Sequence, residues 1–391
     1  MKFSPHIAES VSLSSEEYIN KILQFSTVKG AACAAWRMPN EDQMHLILDL
    51  DGSQEITKIT LEDVAEGFLL KPFDKSRSAL HLKKDVYINL NNGNISSLSY
   101  GSLDELNAFF KREIDYPSVR SGGRKIKNVE NKPFIHLVNK SLEEIYQGTF
   151  QKIVPSRNKR VELSETFNHG EFFNTLCASY PGAFVSMVYT PQSGLWMGAS
   201  PELLLELDGD IFKTVALAGT QPYEGQSLTE VAWTQKEIEE QAFVSRYIIN
   251  CFKKIRLREF EENGPKTVKA GNLIHLKTDF AVDMVKTNFQ DLGSIMLELL
   301  HPTSAICGMP LEPSLNFLKE HELYDREYFS GYLGPIDFED KTSLFVNLRC
   351  MKLKDDTATL YAGAGVTADS DPEKEWRETE MKMNTLLNLI P

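Results

Sequence analysis

The sequence predicts an α+β fold in which antiparallel β-sheets are flanked by helices. Short apolar runs, many rich in branched and aromatic residues, recur along the chain between turn-forming residues, as is typical of strands. Neighbouring runs are joined by tight turns such as Asp208–Asp210, which indicates hairpins and therefore antiparallel pairing. Segments whose apolar residues recur at helical spacing lie between the groups of runs, so the helices are expected to cover the sheets.

The first 130 residues are predicted to be rich in strands that complete the same sandwich as the rest of the chain. The runs Met44–Leu50 and Asp85–Leu90 have the composition of strands. The small, basic segment Ser121–Lys127 is the expected linker. The chain is therefore divided into residues 1–130 and residues 131–391.

The second part is predicted to begin with a helix, because apolar side chains recur there at helical spacing. These side chains are Ile135, Val138, Leu142, Ile145 and Tyr146. An apolar strand is expected to start at Lys152, and further strands follow it. Their ranges are Ala183–Tyr189, Leu195–Gly198, Leu203–Leu207 and Ile211–Val215.

Helical patterns dominate the remaining sequence. Residues 230–255 form the longest, and its expected core residues are Ile238, Ala242, Val244 and Ile248. Shorter helices are predicted at Leu292–Leu300 and Leu315–His321. The last helix is predicted to be capped by Ser370, because a proline and an acid follow this serine at the positions that favour a helix start.

The composition excludes several classes of function. The chain of 391 residues carries 42 Lys and Arg against 55 Asp and Glu, and its net charge of −13 argues against a nucleic-acid partner. No apolar run approaches the roughly 20 residues of a membrane span, so no membrane contact is expected. The 5 cysteines include no C-x-x-C pair, which favours reduced thiols in a cytoplasmic protein.

Cations, small residues and acids are concentrated in one stretch near the C-terminus. These residues are Arg349, Gly363, Gly365, Glu375, Glu378 and Lys382. Arginine after an apolar strand, a small-residue strand end and acids on the next helix predict a pocket that holds a small anion through a metal. The glycines partly match a dinucleotide-binding fingerprint, but only 23 residues follow Ala368, too few for the second strand and acid of such a site.

Two predicted helices present carboxylates three residues apart. Glu375, Glu378 and Lys382 fall on one face of the last helix. Glu237 and Glu240 have the same spacing on an earlier helix. Mg²⁺ is commonly held by one or two carboxylates together with waters and an anionic ligand. Charge-rich helices are also common as solvated faces, so the spacing alone leaves both interpretations open.

Two further ionisable residues lie in strand contexts. Lys152 lies where a helix runs into an apolar strand, and partial burial there would favour the neutral amine that a general base requires. Glu202 lies at a tight turn before the apolar run Leu203–Leu205, and burial would keep a proton on its carboxyl. Taken singly, each is better explained by a structural role, as a lysine that reaches solvent or an acid in a turn.

The order of these motifs along the chain resembles the chorismate-utilising enzymes. That family includes isochorismate, salicylate and anthranilate synthases and the large subunits of aminodeoxychorismate synthases. The resemblance covers roughly residues 132–388 and implies a large sandwich of antiparallel sheets with outer helices, like anthranilate synthase component I, in which residues 131–391 form the chorismate-binding catalytic region. The motifs are Lys152–Arg157, Gly198–Leu204, Ala218–Thr220, Lys236 with Glu240, His301–Thr303, Arg326 with Gly331 and Gly334, Arg349, and Gly363–Gly365 with Glu375–Thr379.

Two positions favour members of the family that use water as the nucleophile. Attack by water needs a base, whereas attack by ammonia does not, and Lys152 stands where anthranilate synthases have glutamine. Ala218 stands where aminodeoxychorismate synthases have a nucleophilic lysine. The resemblance therefore implies an isochorismate synthase, which adds water at C2 of chorismate and removes the C4 hydroxyl, and whose product serves menaquinone or siderophore synthesis. A salicylate synthase, which also eliminates pyruvate, is the alternative.

The resemblance also implies a role for each site residue. Lys152 would be the general base and Glu202 the general acid. Mg²⁺ would be held by Glu240 and Glu378, with Glu237 and Glu375 nearby. The implied substrate-binding residues are Ala218, Gly219, Thr220, His275, Arg349, Gly363, Gly365 and Lys382. His301 is expected to be structural.

Two residues depart from the family pattern. Gln241 stands where several isochorismate synthases have histidine, and Phe329 stands where salicylate synthases have a tyrosine that reaches a substrate carboxylate. The loss of that hydroxyl, worth about 1–3 kcal/mol, mildly disfavours a salicylate synthase. Chorismate is the only expected partner. The protein is expected to be a monomer without a glutamine amidotransferase subunit. A chorismate-binding protein without turnover is a further alternative, disfavoured because both an acid and a base are present.

Overall fold

The fold was examined in a computed structural model, which describes residues 6–7, 13–92, 94–97, 106, 108–111, 125–126, 131–270 and 273–391. Two large antiparallel sheets contain most strands of the described residues. Sheet I has eleven strands in the order β1-β8-β7-β3-β2-β12-β13-β21-β22-β11-β9, and sheet II has nine in the order β16-β17-β15-β14-β20-β19-β5-β6-β4. β10 pairs with β18 in a separate two-stranded sheet.

The strands have the following bounds: β1 His6–Ile7, β2 Ala32–Arg37, β3 Met44–Asp49, β4 Gln54–Ile56, β5 Gly67–Lys71, β6 Ala79–Lys83, β7 Val86–Asn89, β8 Asn94–Ser97, β9 Lys125–Ile126, β10 Lys152–Ile153, β11 Ser156–Glu162, β12 Phe184–Thr190, β13 Gly194–Ser200, β14 Leu203–Asp208, β15 Ile211–Pro222, β16 Glu261–Ala270, β17 Leu273–Asp283, β18 Gly308–Met309, β19 Tyr332–Ile336, β20 Lys341–Val346, β21 Cys350–Lys354 and β22 Thr357–Gly363. The helices with described bounds are α1 Ser15–Lys29, α2 Lys132–Tyr146, α3 His169–Ser179, α4 Gln235–Lys254, α5 Leu292–Leu300, α6 Leu311–His321 and α7 Pro372–Leu387.

The predicted α+β fold with antiparallel sheets and flanking helices is confirmed. Strands from the first 130 residues belong to both large sheets, since β2 pairs with β12 in sheet I and β5 pairs with β19 in sheet II. The expected linker Ser121–Lys127 lies outside the described residues except for Lys125 and Ile126, which form β9. No helix of the described residues is both long and apolar enough to span a membrane.

Alternation along the strands explains why the sheets stack with helices outside. In β2, Ala34 and Trp36 pack between the two sheets, whereas Cys33 and Ala35 pack in the cluster that also contains residues of α1 and α3. Successive side chains of a strand point to opposite faces, so β2 is buried on both sides. Between the sheets, the rings of Phe184 and Phe345 stack with their centroids 4.2 Å apart.

Two predictions for the helices are wrong: Ile238 as a core residue and Ser370 as the cap of the last helix. Tyr146 is 71% exposed and Ile238 is 46% exposed, so neither is a core residue. Both lie near a helix end, where the apolar pattern continues beyond the surface that the sheet covers. The last helix is capped by Asp371, whose side chain accepts a hydrogen bond from Lys374 N, while Ser370 accepts one from Thr367 N.

Candidate active site

The chain crosses between the two large sheets twice at one place. Glu202 lies in the short connection from β13 of sheet I to β14 of sheet II. Arg349 lies in the connection from β20 of sheet II back to β21 of sheet I. Val346 N donates a hydrogen bond to Glu202 O at 3.0 Å, and Ala199 N donates one to Arg349 O at 3.1 Å. The paired crossings bring together an acid and an arginine that are far apart in the sequence.

The backbone at Arg349 is strained and closely packed. A Cβ atom at Gly198 would lie 2.8 Å from Arg349 O, so only glycine allows the two crossings to approach. Arg349 has a φ of 48°, and this left-handed conformation costs a residue with a side chain about 1–2 kcal/mol. Among the described residues its guanidinium makes one long hydrogen bond, 3.4 Å to Thr385 Oγ1. Most of its donors are therefore left for a ligand.

Glu202 has surroundings that keep its carboxyl protonated. The residue is buried, and burial raises its pKa to about 8, although Lys152, Lys382 and Arg349 each act to lower it. At neutral pH most molecules therefore carry a proton on this carboxyl. A buried carboxyl that is protonated at neutral pH is suited to donate a proton to a leaving group.

Lys152 is fixed by short strands on both sides and is fully buried. It pairs with Met309 in β18, and the next residue, Ile153, forms a bridge with Val366. Lys152 Nζ lies 3.2 Å from Glu240 Oε1. This contact is an ion pair without regular hydrogen-bond geometry, and Nζ has no hydrogen-bond partner among the described residues. Apart from this ion pair, the Lys152 side chain makes no polar contact of its own among the described residues, so its hydrogen-bonding capacity is left for a ligand or a water.

Gly365 allows the end of β22 to approach Lys152 and α4. A Cβ atom at Gly365 would lie 2.2 Å from Glu240 Oε1 and 3.3 Å from Lys152 Cε. Since the first distance is far below any real contact, a side chain at this position would displace the Glu240 carboxylate. This is the close backbone approach that explains the small residues of the C-terminal motif.

Glu240 remains ionised although it is buried among other charges. Burial alone would raise its pKa, but Lys152, Lys236 and Lys382 outweigh this effect and hold the pKa below its ordinary value. Its carboxylate thus provides a negative charge at the cavity over a wide pH range.

Two lysines connect the acids of α7 to the rest of the site. Lys236 of α4 forms a 2.6 Å ion pair with Glu375, and Lys382 forms a 2.6 Å ion pair with Glu378. Lys382 also donates a hydrogen bond of 2.9 Å to Gly363 O. The predicted acidic faces of α4 and α7 are therefore joined through the ammonium group of Lys236, and Lys382 links α7 to the end of β22.

Glu375 carries an unsatisfied oxygen in this cluster. Burial, followed by the neighbouring Glu378, raises its pKa to about 7, and Lys236 acts in the opposite direction. Glu375 Oε2 is buried and has no hydrogen-bond partner among the described residues. Because a buried carboxylate oxygen normally has a partner, a cation at this place would complete its surroundings.

Glu237 was predicted to lie near a metal, but its carboxylate caps the start of α4. Its carboxylate accepts hydrogen bonds from Thr234 N at 2.7 Å and from the Thr234 hydroxyl, which forms a capping box at the start of α4. The carboxylate is thus occupied at the helix terminus and is not among the groups that line the cavity. The Thr-x-x-Glu spacing is visible in the sequence and indicates this role.

His275 faces the cavity as a neutral ring. Its Nδ1 lies 2.8 Å from Gly219 O, and since a carbonyl only accepts, Nδ1 carries the proton. Burial, followed by Arg349, lowers the pKa of His275 to about 3. Nε2 is buried and has no partner among the described residues, so it is free to accept a hydrogen bond from a ligand. His301 lies outside the cavity and donates Nε2 to Pro72 O at 3.0 Å.

One cavity collects most of the predicted site residues. Those that line it are Glu202, Ala218, Gly219, Thr220, Glu240, His275, Arg349, Gly363, Gly365 and Lys382. Lys152 is not in the lining but contacts Glu240 directly behind it. Glu378 is connected to the lining through its ion pair with Lys382, whereas Glu375 pairs with Lys236, which does not line the cavity.

The sequence interpretation missed an apolar wall and one arginine of the cavity. The ring of Phe329 stacks on that of Tyr361 with the centroids 5.3 Å apart, and both line the cavity together with Leu348. Arg326 lines it too, although the sequence identified it only as part of a motif.

Gln241, which departs from the family pattern, donates hydrogen bonds to Ser245 Oγ and Thr278 Oγ1 within the core, at 3.0 and 2.7 Å.

A comparison with known protein families identifies the family to which this sequence belongs. The family described as "Chorismate binding enzyme" matches residues 90–391, about three quarters of the chain. The chain belongs to the chorismate-binding enzyme family. The resemblance inferred from the ordered motifs is thereby confirmed, and the paired crossings, Lys152 and the acidic helices all lie within the matched part.

Curated relatives of this chorismate-binding enzyme include several isochorismate synthases. It is 32% identical to isochorismate synthase EntC of Escherichia coli over 245 residues, which are 61% of this chain and 62% of that protein. It is 30% identical to isochorismate synthase DhbC of Bacillus subtilis over 65% of this chain and 66% of that protein. The alignments thus span less than two thirds of either relative. Anthranilate synthase component 1 of Acetivibrio thermocellus is 27% identical over 79% of this chain and 66% of that protein.

Solved structures share the fold of this chorismate-binding enzyme over nearly its whole length. The menaquinone-specific isochorismate synthase MenF of Escherichia coli has a TM-score of 0.77 at 18% identity, over 99% of this chain and 95% of that chain. A DhbC structure from Bacillus anthracis has a TM-score of 0.73 at 20% identity, over 95% and 98%. These likenesses support the sandwich architecture.

The carboxylates near the cavity of this chorismate-binding enzyme are donors of the kind that Mg²⁺ takes. Among the described residues, no three His, Cys, Asp or Glu side chains converge as a preformed metal site. Mg²⁺ does not need such a cage, because it keeps several waters and takes one or two carboxylates beside an anionic ligand. Glu240 and Glu378 provide two carboxylates of this kind, and the unsatisfied oxygen of Glu375 lies in the same cluster.

Proposed function

We propose that the protein is an isochorismate synthase, an isomerase that converts chorismate to isochorismate. The observation that carries the proposal concerns two groups of one site. Glu202, a carboxyl that keeps its proton at neutral pH, lines the cavity, and Lys152, a fully buried amine, contacts the lining residue Glu240. Two curated relatives at 30% identity or above are isochorismate synthases, which supports the same choice. The product of such an enzyme serves menaquinone or siderophore synthesis.

In the proposed reaction one water is added and one is lost. When deprotonated, the amine of Lys152 removes a proton from water as the oxygen bonds to C2 of the ring. The two ring double bonds shift, and the bond from C4 to its hydroxyl breaks while Glu202 donates a proton to that hydroxyl. After the reaction Lys152 carries one proton more than before and Glu202 one fewer. Transfer of a proton through solvent restores both groups.

The substrate is a dicarboxylate, and the cavity offers groups for both ends. Arg349, with most of its donors uncommitted, and Lys382 are the proposed partners of its carboxylates, because arginine binds a carboxylate through two parallel hydrogen bonds. The close backbone at Gly363 and Gly365 would add amide donors. Ala218, Gly219 and Thr220 would line the ring, and His275 Nε2 would accept a hydrogen bond from a ring hydroxyl. These last residues form one wall of the cavity, and they are the proposed ring-binding set.

Glu240 and Glu378 would hold Mg²⁺, with Glu375 nearby. When bound, the ion supplies positive charge to the ring carboxylate and so favours electron flow towards C1. Glu237 is excluded from this proposal, because its carboxylate caps α4.

Product analysis tests the proposed function. The purified protein is incubated with chorismate and Mg²⁺, with and without ammonium, and the products are separated by chromatography. Isochorismate is expected in both samples, without pyruvate. Anthranilate in the ammonium sample with no isochorismate would refute the proposal, and pyruvate with salicylate would replace it by a salicylate synthase. Calorimetric binding of chorismate without any product would indicate a binding protein.

A further inference from the structure

A buried arginine, Arg326, contacts the backbone two residues after Lys152. Arg326 is buried and forms four hydrogen bonds. Two of them go to Glu322, from Nε at 2.7 Å and from Nη2 at 2.5 Å. The other two go to backbone carbonyls, from Nη2 to Val154 O at 2.7 Å and from Nη1 to Ile306 O at 2.9 Å.

These two carbonyls mark the point where the strand pairing beside Lys152 stops. Gln151 N donates to Met309 O and Val154 N donates to Cys307 O, both at 2.8 Å, so the segments run side by side up to Val154. The next residue, Pro155, has no N–H and cannot continue the ladder. Arg326 therefore joins the two segments where their own hydrogen bonds end.

Glu322 extends the connection to the other side of Pro155. Its Oε1 accepts hydrogen bonds from Ser156 N and from Ser156 Oγ, both at 2.8 Å. Ser156 Oγ also lies 2.7 Å from the hydroxyl of Tyr324. The segment from Val154 to Ser156 is thus held on both sides of the proline by one buried ion pair.

We infer that Arg326, with Glu322, is a positioning residue that fixes Lys152 for proton transfer. Among the described residues the Lys152 amine has an ion pair with Glu240 but no hydrogen bond, so the position of its backbone contributes directly to where the amine lies. A displacement of about 1 Å at a reacting group lowers rates by about 100-fold. Four of the five guanidinium N–H groups of Arg326 are used in these bonds, which leaves it little capacity to bind a substrate carboxylate. The inference rests on the proposed role of Lys152 as base.

The test compares Arg326→Lys with the matched variant Arg37→Lys. Arg37 is equally buried and also donates to backbone carbonyls, including those of Tyr180 and Pro181, but none of its partners lines the cavity. Lysine keeps the charge in both variants and loses the planar fork. Steady-state kinetics with chorismate are measured below both melting temperatures, and amide hydrogen exchange is measured for residues 151–154.

Arg326→Lys is expected to lower kcat about 10- to 100-fold with KM within about threefold, and to speed exchange at Ile153 and Val154. Arg37→Lys is expected to lower Tm without either change. Equal kcat values for the two variants, or a rise in KM with kcat unchanged, would overturn the inference. Should Arg326→Lys not fold, Glu322→Gln replaces it with the same expectations. The exchange result is independent of the reaction, so it decides whether Arg326 holds the strand even if the wild type makes no isochorismate.

Discussion

Burial dominates the chemistry of Glu202. Three cations act on this carboxyl, and each would favour the ionised form, yet the loss of hydration outweighs them and raises its pKa to about 8. Glu240 shows the opposite result, because the cations around it outweigh burial and lower its pKa. Two glutamates that line one cavity are thus set to different protonation states by their surroundings, which is the condition for one to donate a proton while the other remains a charge.

The pKa of Glu202 predicts the pH dependence of activity and of stability. Activity that needs its proton is expected to fall as the pH rises through about 8. Because the pKa is raised on folding, the folded chain binds a proton that the unfolded chain releases between its ordinary value of 4.5 and about 8. The free energy of unfolding should therefore decrease across this window. Thermal melts of wild type and Glu202→Gln from pH 5 to 9 check this, and an unchanged slope in the variant would contradict it.

Removal of the Lys152 amine should abolish turnover and spare binding. Lys152→Met keeps the length and the apolar stem of the side chain but cannot accept a proton. We expect kcat to fall by about 10²- to 10⁴-fold, because a general base acts in the transition state. The calorimetric Kd for chorismate should change little. Lys71→Met is the control, since Lys71 is also buried but donates to the backbone carbonyl of Lys75 outside the cavity. Near-normal kcat in Lys152→Met would exclude it as base.

A residue's role can be predicted from the sequence when the residues that determine it lie nearby in the chain. Burial of Lys152 and Glu202 was expected because each adjoins an apolar run. Their roles as base and acid came from the resemblance to the chorismate-utilising enzymes, since neither residue signals its role alone. The cap formed by Glu237 was equally local, in the spacing from Thr234, but the metal interpretation overrode it. The role of Arg326 was out of reach, since its partners at Val154 and Ile306 are backbone carbonyls that become neighbours only in the fold.

At the scale of elements, the first turns of α4 contain one glutamate that caps the helix and another that lines the cavity. Its start is fixed by Thr234 and Glu237, and Glu240 follows three residues later at the cavity. Helix periodicity predicted that both glutamates share a face, and together with the family resemblance this led to their assignment to one site. The spacing from Thr234 to Glu237 is the sequence signal that separates the cap from a metal ligand.

The two glutamates should respond differently to substitution. Glu237→Ala removes the cap and is expected to lower the free energy of unfolding by about 1 kcal/mol without changing the Mg²⁺ concentration needed for half-maximal activity. Glu240→Gln and Glu378→Gln, which remove a proposed ligand charge, should raise that concentration while Tm changes less. Chemical denaturation and Mg²⁺ titration of the activity provide the two measurements. A raised Mg²⁺ requirement in Glu237→Ala would restore it as a ligand.

For the whole molecule, the pairing of distant strands creates the site. Glu202 and Arg349 meet because the chain crosses between the sheets twice at the same place, with β13 next to β21 in sheet I and β14 next to β20 in sheet II. Strand character and hairpins were predictable from local pattern. The partners of β2 and β5 were not, because register between segments more than 100 residues apart leaves no local signal.

The first 130 residues should be required for folding, because they supply inner strands to both large sheets. A fragment of residues 131–391 would leave β12 without β2 and β19 without β5, so that apolar strand edges and the inner faces around Phe184 and Phe345 are exposed. We expect this fragment to lack a cooperative thermal transition. A chain of residues 13–391 loses only the short edge strand β1 and should melt cooperatively, so it controls for truncation itself. Circular dichroism melts and size-exclusion chromatography of the two shortened chains provide the comparison. A soluble fragment with a sharp transition would mean that the later strands close the sandwich alone, and that the N-terminal strands add area without specifying the fold.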